Sequence, residues 1–190
     1  MKETLEYTIQ ILSDWHIGSG LDSATDTDAL VLKDTDDIPY IPGKTIKGLF
    51  KDAMMDLVEA NQCEASIVHK IFGEMKSEDK QTEEDSRIST AGTAFFSNAT
   101  LSEKAAILSN KLSNYLYRNI ASTAIEKSGI AKDKSLRVME VCIPLTLKGE
   151  ITKLDETQKE QLTIALKLIR HIGVNRNRGL GRCKFSTQNS

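Results

Sequence analysis

KTIKGLFKDAMMDLVEA, residues 44–60, carries Ile46, Leu49, Phe50, Ala53, Met54, Leu57 and Val58 at i, i+3, i+4, i+7 spacing. That period predicts an amphipathic helix with one apolar face turned to a core. Upstream, Leu5 to Leu12 alternates apolar and polar residues, the pattern of a half-buried strand. Downstream, Ala94-Phe95-Phe96-Ser97-Asn98-Ala99 reads as a second strand, so this half of the chain is β-α-β. The C-terminal half repeats the order. Val138 to Ile151 reads as one strand, with Met139, Val141, Ile143, Leu145, Leu147 and Ile151 mostly on one face. Asp155 is placed to N-cap a helix, and Gln158 completes the capping-box spacing. Leu162, Ala165, Leu166 and Ile169 supply that helix's apolar face, and Leu180 to Ser186 is the last strand. The expected fold class is α+β, a ferredoxin-like or RRM-like β-α-β-β-α-β core with long loop insertions. Two helices on one face of the sheet leave the other face free for a ligand.

The insertions carry most of the polar residues. Residues 13–43 are loop-like, rich in Gly, Asp, Ser and Pro, with a possible short strand at Ala29 to Lys33. A second short helix is expected over Glu64 to Phe72, and the charged run at 74–87 reads as a solvated loop. Residues 100–137 have weak periodicity and seven basic residues against three acidic ones, an excursion from the core. The 190 residues fit one domain with insertions or two very small ones, and a single domain spanning 1–190 is expected.

Charge is concentrated at the C-terminal end. The chain has a net charge of −2, yet Gln161 to Ser190 holds no Asp or Glu and carries Lys167, Arg170, Arg176, Arg178, Arg182 and Lys184. Within that stretch, Gly173-Val174-Asn175-Arg176-Asn177-Arg178-Gly179-Leu180-Gly181-Arg182 alternates arginine with glycine and asparagine. Glycine permits positive φ and close backbone approach, and arginine offers a planar fork of donors suited to phosphate. The stretch describes a loop shaped around a polyanion. With a sequence pI near 6, such a partner must be held by local patches rather than by global charge. Only 5% of residues are aromatic, so base-stacking platforms are sparse.

Other functional classes are disfavoured. Cys63, Cys142 and Cys183 form no CxxC and read as reduced thiols. His16, His69 and His171 are scattered, with no HExxH, so no structural zinc is expected. No apolar run is long enough to span a membrane, the N-terminal MKETLEYTIQ is no signal peptide, and a cytoplasmic location is expected. Pro42-Gly43-Lys44-Thr45 ends like a P-loop, but Ile38 stands where that signature needs its first glycine. Gly43 instead opens a helix whose first turns hold Lys44, Thr45, Lys47 and Lys51, which reads either as phosphate contact or as ordinary solvated lysines. The aspartates from Asp22 to Asp37 lack EF-hand spacing and read mainly as solvated turns; one of them serving as acid, base or cation ligand near a phosphate is the alternative. A two-histidine ribonuclease mechanism through His16 and His171 is a further option.

Several of these segments together resemble the RAMP superfamily, the repeat-associated RNA-binding subunits of CRISPR effector complexes. The resemblance rests on Ile17-Gly18-Ser19-Gly20, on Pro39-Tyr40-Ile41-Pro42-Gly43-Lys44-Thr45-Ile46-Lys47-Gly48-Leu49-Phe50-Lys51, and on the terminal Gly-Arg loop. Ile71-Phe72-Gly73 followed by Gly92-Thr93-Ala94-Phe95-Phe96-Ser97-Asn98-Ala99 resembles the family's second strand, with Ala94 where Leu or Val is usual. Ile120 to Lys127, Ala131-Lys132, Leu136 and Glu140 resemble the region before the third strand, which implies a thumb-like hairpin at about 112–137.

The nearest likeness is to type III backbone subunits, and it implies guide RNA, target RNA, copies of the chain itself and other effector subunits as partners, and no membrane. It implies RNA contacts from His16, Gly43, Lys44, Thr45, Lys47, Lys51, Arg118, Lys132, Arg137, Arg176, Arg178 and Arg182. Thr25-Asp26-Thr27-Asp28-Ala29-Leu30-Val31 aligns with the loop that carries a target-cleaving aspartate, which makes Asp28 the catalytic candidate and Asp26 the reserve. Thr25 and Asp26 stand where the family has glycines. A loosely held divalent cation, Mg or Mn, would be the cofactor, with no zinc. Three roles stay open: a target-cleaving backbone subunit, a non-catalytic structural subunit, and a guide-processing endoribonuclease.

Overall fold

The structure, a computed structural model, describes residues 2–18, 29–74, 90–102, 105, 112–127 and 129–187. Strand β1 (Glu3–Ile11) buries Leu5, Tyr7, Ile9 and Ile11 and turns Glu6 and Gln10 to solvent, as its alternation requires. Helix α1 (Gly43–Glu59) buries Ile46, Leu49, Phe50, Ala53, Met54 and Leu57, the face predicted from its spacing. Helix α2 (Ala65–Phe72) follows, then the two-residue strands β2 (Gly73–Glu74) and β3 (Thr90–Ala91), which pair with each other. Strand β4 (Phe95–Phe96) is shorter than the predicted strand; beyond it, Ala99 and Thr100 make single bridges to Ile41 and Lys148. The chain continues through β5 (Tyr117–Ser122), β6 (Arg137–Cys142), β7 (Thr146–Leu154), α3 (Glu156–Ala165) and β8 (Cys183–Thr187).

The main sheet is antiparallel in the order β4-β7-β1-β8. Two β-α-β halves interleaved this way, with the first and third core strands central, make a ferredoxin-like α+β domain. Both long helices lie over one face and share one core with the sheet. Phe50 of α1 sits 5.8 Å from the Tyr7 ring and 5.9 Å, edge-on, from Phe185 of β8. Such aromatic pairs add to the burial of large rings. Gly149 of β7 lies beneath Tyr7: a Cβ there would come 2.4 Å from the phenol oxygen. The α3 capping box forms as predicted, with the Asp155 carboxylate accepting from Gln158 N at 2.8 Å and Gln158 Oε1 accepting from Asp155 N at 3.0 Å.

Two expectations need correcting. Val138 to Ile151 is two strands rather than one. Residues up to Cys142 form β6, which pairs with β5 in a separate hairpin, and the chain joins the main sheet only from Thr146. Pro144 sits at the crossing, where a residue without an N–H and with fixed φ cannot continue a ladder. Ala29 to Lys33 forms no strand; Ala29, Val31 and Lys33 each make an isolated bridge, to Met139, Gly18 and Pro39. The run at 75–87 expected as a solvated loop lies outside the described residues.

Replacing Asp155 by Ala removes the acceptor for a first-turn N–H of α3. It should cost about 1 kcal/mol and lower Tm by roughly 2–4 °C in a thermal melt, whereas Asp155→Asn should largely retain the wild-type value.

Candidate nucleic-acid interface

Where β1 ends, three segments converge. In the loop after β1, Trp15 is fully buried and exchanges both backbone bonds with Cys142 of β6, at 3.0 and 2.8 Å. Its indole N–H donates to Ile143 O at 3.0 Å. His16 is also buried, with Nδ1 2.6 Å from the Glu140 carbonyl oxygen. A carbonyl only accepts, so Nδ1 carries the proton and a neutral ring keeps its lone pair on Nε2. This position gives His16 a structural task of its own.

Glu140 joins the loop to the hairpin. Its Oε2 accepts from Val31 N at 3.0 Å, and its Oε1 accepts from Lys33 Nζ at 2.9 Å. Its own N–H donates to Ala29 O at 3.0 Å. Lys33 Nζ in turn lies 3.8 Å from the centre of the Tyr117 ring on β5, and the Tyr117 hydroxyl donates to Asp37 O at 2.6 Å. Burial pushes the Tyr117 phenol well above its ordinary pKa, so it stays a donor. Burial likewise pushes the Cys142 and Cys183 thiols up to about 12, which leaves them inert near neutral pH.

The Gly-Arg loop is laced onto the same loop from the other side. Val174 N donates to His16 O at 3.1 Å, Gly181 N to Asp14 O at 2.7 Å and Arg182 N to Ser13 Oγ at 3.0 Å. Gly173 and Gly181 have φ of +70° and +69°, and a Cβ on them would lie 2.1 Å from His16 O and 1.9 Å from Ile172 O. These glycines serve approach of chain to chain. Arg176 to Arg178 form a single 3-10 turn between Asn175 and Gly179, both left-handed, and both arginines are exposed. Arg176 Nε donates to Gly173 O at 2.9 Å, which orients its guanidinium.

A groove of about 540 Å³ runs between this loop and the β5–β6 hairpin, lined among others by Ala29, Ile120, Arg137, Met139, Asn175 and Arg178. Asn175 Nδ2 reaches across to Met139 Sδ at 3.9 Å. Two arginines from different segments thus face one concave, partly apolar surface, which can hold phosphate on the forks and an aliphatic or base surface on Ile120 and Met139.

The structure groups the expected contacts unevenly. Arg137 and Arg178 share the groove, with Arg176 beside Arg178 on the same turn. Arg118 is ion-paired to Asp14, a carboxylate only 9% exposed, so it is not a free cation. Lys132 sits towards the hairpin's tip, its N–H bonded to Ala124 O at 2.8 Å. Gly43, Lys44, Thr45, Lys47 and Lys51 lie on α1, which begins against β4 at the opposite edge of the sheet from β8. Gly43 is buried, donates to Asn98 Oδ1 at 2.9 Å, and has no room for a Cβ, which would lie 2.1 Å from Phe96 O. Arg182 and His171 line a different groove, beside β8. Asp28 and Asp26 lie outside the described residues. Among the described residues no three His, Cys, Asp or Glu side chains gather as a metal site would require. The roles of Glu140 and Asp14 were not foreseen; the available signal was a glutamate inside the apolar run Val138-Met139-Glu140-Val141-Cys142, since a carboxylate there must find partners.

Fold and site define a ferredoxin-like α+β domain whose basic loops gather at one end of the sheet. A family model, that of the RAMP superfamily, matches residues 8–184, and the chain belongs to that superfamily. Its fold is similar to that of a chain in a cryo-EM structure of Type III-B Cmr-beta bound to cognate target RNA, with TM-score 0.70, 10% identity and 97% of each chain covered. It is likewise similar to a chain in the apo-state cryo-EM structure of Type III-B Cmr-beta, with TM-score 0.65, 10% identity and 98% of each chain covered. A search of curated proteins returns no match.

Substituting Glu140 by Ala strands the Val31 N–H and the Lys33 ammonium. The change should cost about 1–3 kcal/mol in chemical denaturation. It should also raise amide exchange at Val31 well above that at Ile9 in the central strand, which measures loosening of the groove wall rather than of the core.

Proposed function

We propose that the chain is a guide-RNA-binding backbone subunit of a type III CRISPR effector complex, acting beside copies of itself and other effector subunits. The observation that carries this reading is the groove lined by both Arg137 of the hairpin and Arg178 of the Gly-Arg loop. Membership of the RAMP superfamily and the likeness of fold to chains of Type III-B Cmr-beta, once with target RNA bound, support it. Guanidinium forks fix a phosphate backbone without reading bases, the behaviour needed of a subunit that must accept any guide sequence. The half-buried Ile120 and Met139 give the same groove a surface on which a base can rest.

The same reading assigns target-RNA cleavage to Asp28, with Asp26 in reserve. Its support is the motif alignment together with Ala29, the next residue, which lines the groove and is tied to β6 through Met139 and Glu140. In-line attack by a ribose 2′-hydroxyl needs an aligned nucleophile, neutralised phosphate charge and a proton acceptor. A single carboxylate supplies one of these; the splayed RNA backbone and a Mg or Mn ion would supply alignment and charge. A guide-processing ribonuclease using His16 and His171 has less support, because His16 is buried with Nδ1 tied to a carbonyl and His171 faces the other groove.

Two measurements test the proposal. The pair Arg137→Ala and Arg178→Ala should weaken binding of unrelated RNA sequences about equally. It should also make the slope of log affinity against log salt shallower by about 1.4, at 0.7 per lost single-strand phosphate contact. Unchanged affinity and slope would remove the groove as the RNA cradle. Asp28→Asn should abolish target cleavage in the assembled complex and leave guide and target binding intact, and chelator should stop the wild-type reaction. Normal cutting after that substitution refutes the assignment, and absence of cutting in the wild-type complex makes the chain a purely structural subunit.

A further inference from the structure

The second basic groove has no part in the site described above. It has a volume of about 520 Å³ and runs beside β8, the edge strand of the main sheet. Lys167, Arg170, His171, Arg182 and Lys184 line it together with Leu12, and no carboxylate does. The chain sets this up in two ways. Alternation along β8 buries Cys183 and Phe185 and sends Arg182 and Lys184 to the other side, roughly 7 Å apart. The segment after α3 is then bridged to the start of the strand, with Cys183 N donating to Arg170 O at 2.9 Å and Ile172 N to Gly181 O at 2.8 Å, which brings Lys167 and Arg170 alongside.

Among the described residues, none of these four cationic side chains has an ion-pair or hydrogen-bond partner, unlike Lys33, Arg118 and Lys159. All four are exposed. Lys167 follows the C-terminal end of α3, where a cation is favoured by the helix dipole. Arg170, Arg182 and Lys184 have no such reason to be there. Four like charges around one concavity repel each other and raise the local concentration of anions. Arg182 is also the last residue of the Gly-Arg loop, and it lines this groove four positions along the chain from Arg178, which lines the first.

We infer that the groove along β8 is a second phosphate track, taking the single-stranded RNA backbone as it leaves the Gly-Arg loop. The inference rests on the reading of the chain as an RNA-binding subunit. With aliphatic Leu12 and no exposed aromatic ring in its wall, the groove holds the strand by charge and without base preference. It would set how many nucleotides each copy of the chain covers.

The test uses the full chain and fluorescently labelled oligouridines of increasing length. Wild-type affinity should rise in two stages as the RNA first fills the groove under Arg137 and Arg178 and then reaches the second track. A triple variant, Lys167→Gln, Arg170→Gln and Lys184→Gln, alters only exposed side chains and should melt at the wild-type temperature. It should bind the shortest RNAs as the wild type does, lose the second stage, and show a salt slope for long RNA shallower by about 2. Equal binding of long RNA by variant and wild type, or a wild type without a second stage, overturns the inference and leaves the first groove standing. If the triple variant keeps full RNA affinity but loses binding to a polyglutamate peptide, the groove belongs to an acidic protein partner, and the inference fails. Failure of the underlying reading looks different: the Arg137→Ala, Arg178→Ala variant would then bind short RNA like the wild type, whatever the triple variant does.

Discussion

A carboxylate placed inside an apolar strand has to be satisfied where it stands, and Glu140 is. Its side chain is 13% exposed and meets one backbone N–H and one ammonium, while its own backbone N and O bond Ala29 and His16. A partly buried charge left unpaired costs far more than a surface pair gains. Every group that satisfies Glu140 is therefore held in place by it. Those groups belong to the loop after β1 and to its return past Ala29, and through Lys33 the network extends to the Tyr117 ring of β5. One wall of the groove, the hairpin with the loop packed on it, is thus held by one residue that itself need touch no ligand.

The glycines complete the arrangement from the other side. Gly173 and Gly181 let the terminal loop lie against the backbone of His16 and Ile172 at distances no side chain would permit. With the glycines holding chain to chain, the arginines between them are turned outward on a short 3-10 turn whose ends are left-handed. A motif that reads as a backbone shaped to approach phosphate shows a different division of labour: glycine anchors the loop and arginine is left exposed on its turn. The same holds for Gly43, whose lost Cβ admits the carbonyl of Phe96.

Local signals were legible in the sequence, and distant ones were not. The α1 face and the Asp155–Gln158 capping box depend on residues three and four apart, and both formed as read. The division of 138–151 depends on which strand pairs with which. Alternation continues through Pro144 although the partner changes from β5 to β1, so period alone cannot mark the crossing. The Asp14–Arg118 and Glu140–Lys33 pairs join residues more than a hundred positions apart. Nothing in either segment names its partner, and an arginine counted as an RNA contact proves to be engaged within the protein. His16 is expected from the sequence to contact RNA; its burial follows from Trp15 and Cys142 pairing beside it, which only the fold reveals.

The sheet's open face is poorly suited to a polyanion, which leaves the loops to carry the proposed RNA site. On β1, β7 and β8 that face presents Glu6, Thr8, Gln10, Thr146, Lys148, Glu150, Lys184 and Ser186, and the exposed Phe95 stands alone on short β4. Glu6 and Glu150 are directly opposite in the register, a like-charge pair that weakens the ladder locally and repels phosphate. RNA-binding domains of this architecture that read bases on the sheet do so through aromatic rings on its central strands. Here the central strands offer carboxylates, hydroxyls, the Gln10 amide and the ammonium of Lys148 instead. The two basic grooves lie instead off the open face, at the Gly-Arg loop with the hairpin and beside β8. A chain of net charge −2 can hold a polyanion only if its cations are gathered and its carboxylates are kept elsewhere or neutralised. Among the described residues, Asp14 and Glu140 sit in the loop and the hairpin beside the first groove, and each is paired within the protein, with Arg118 and Lys33.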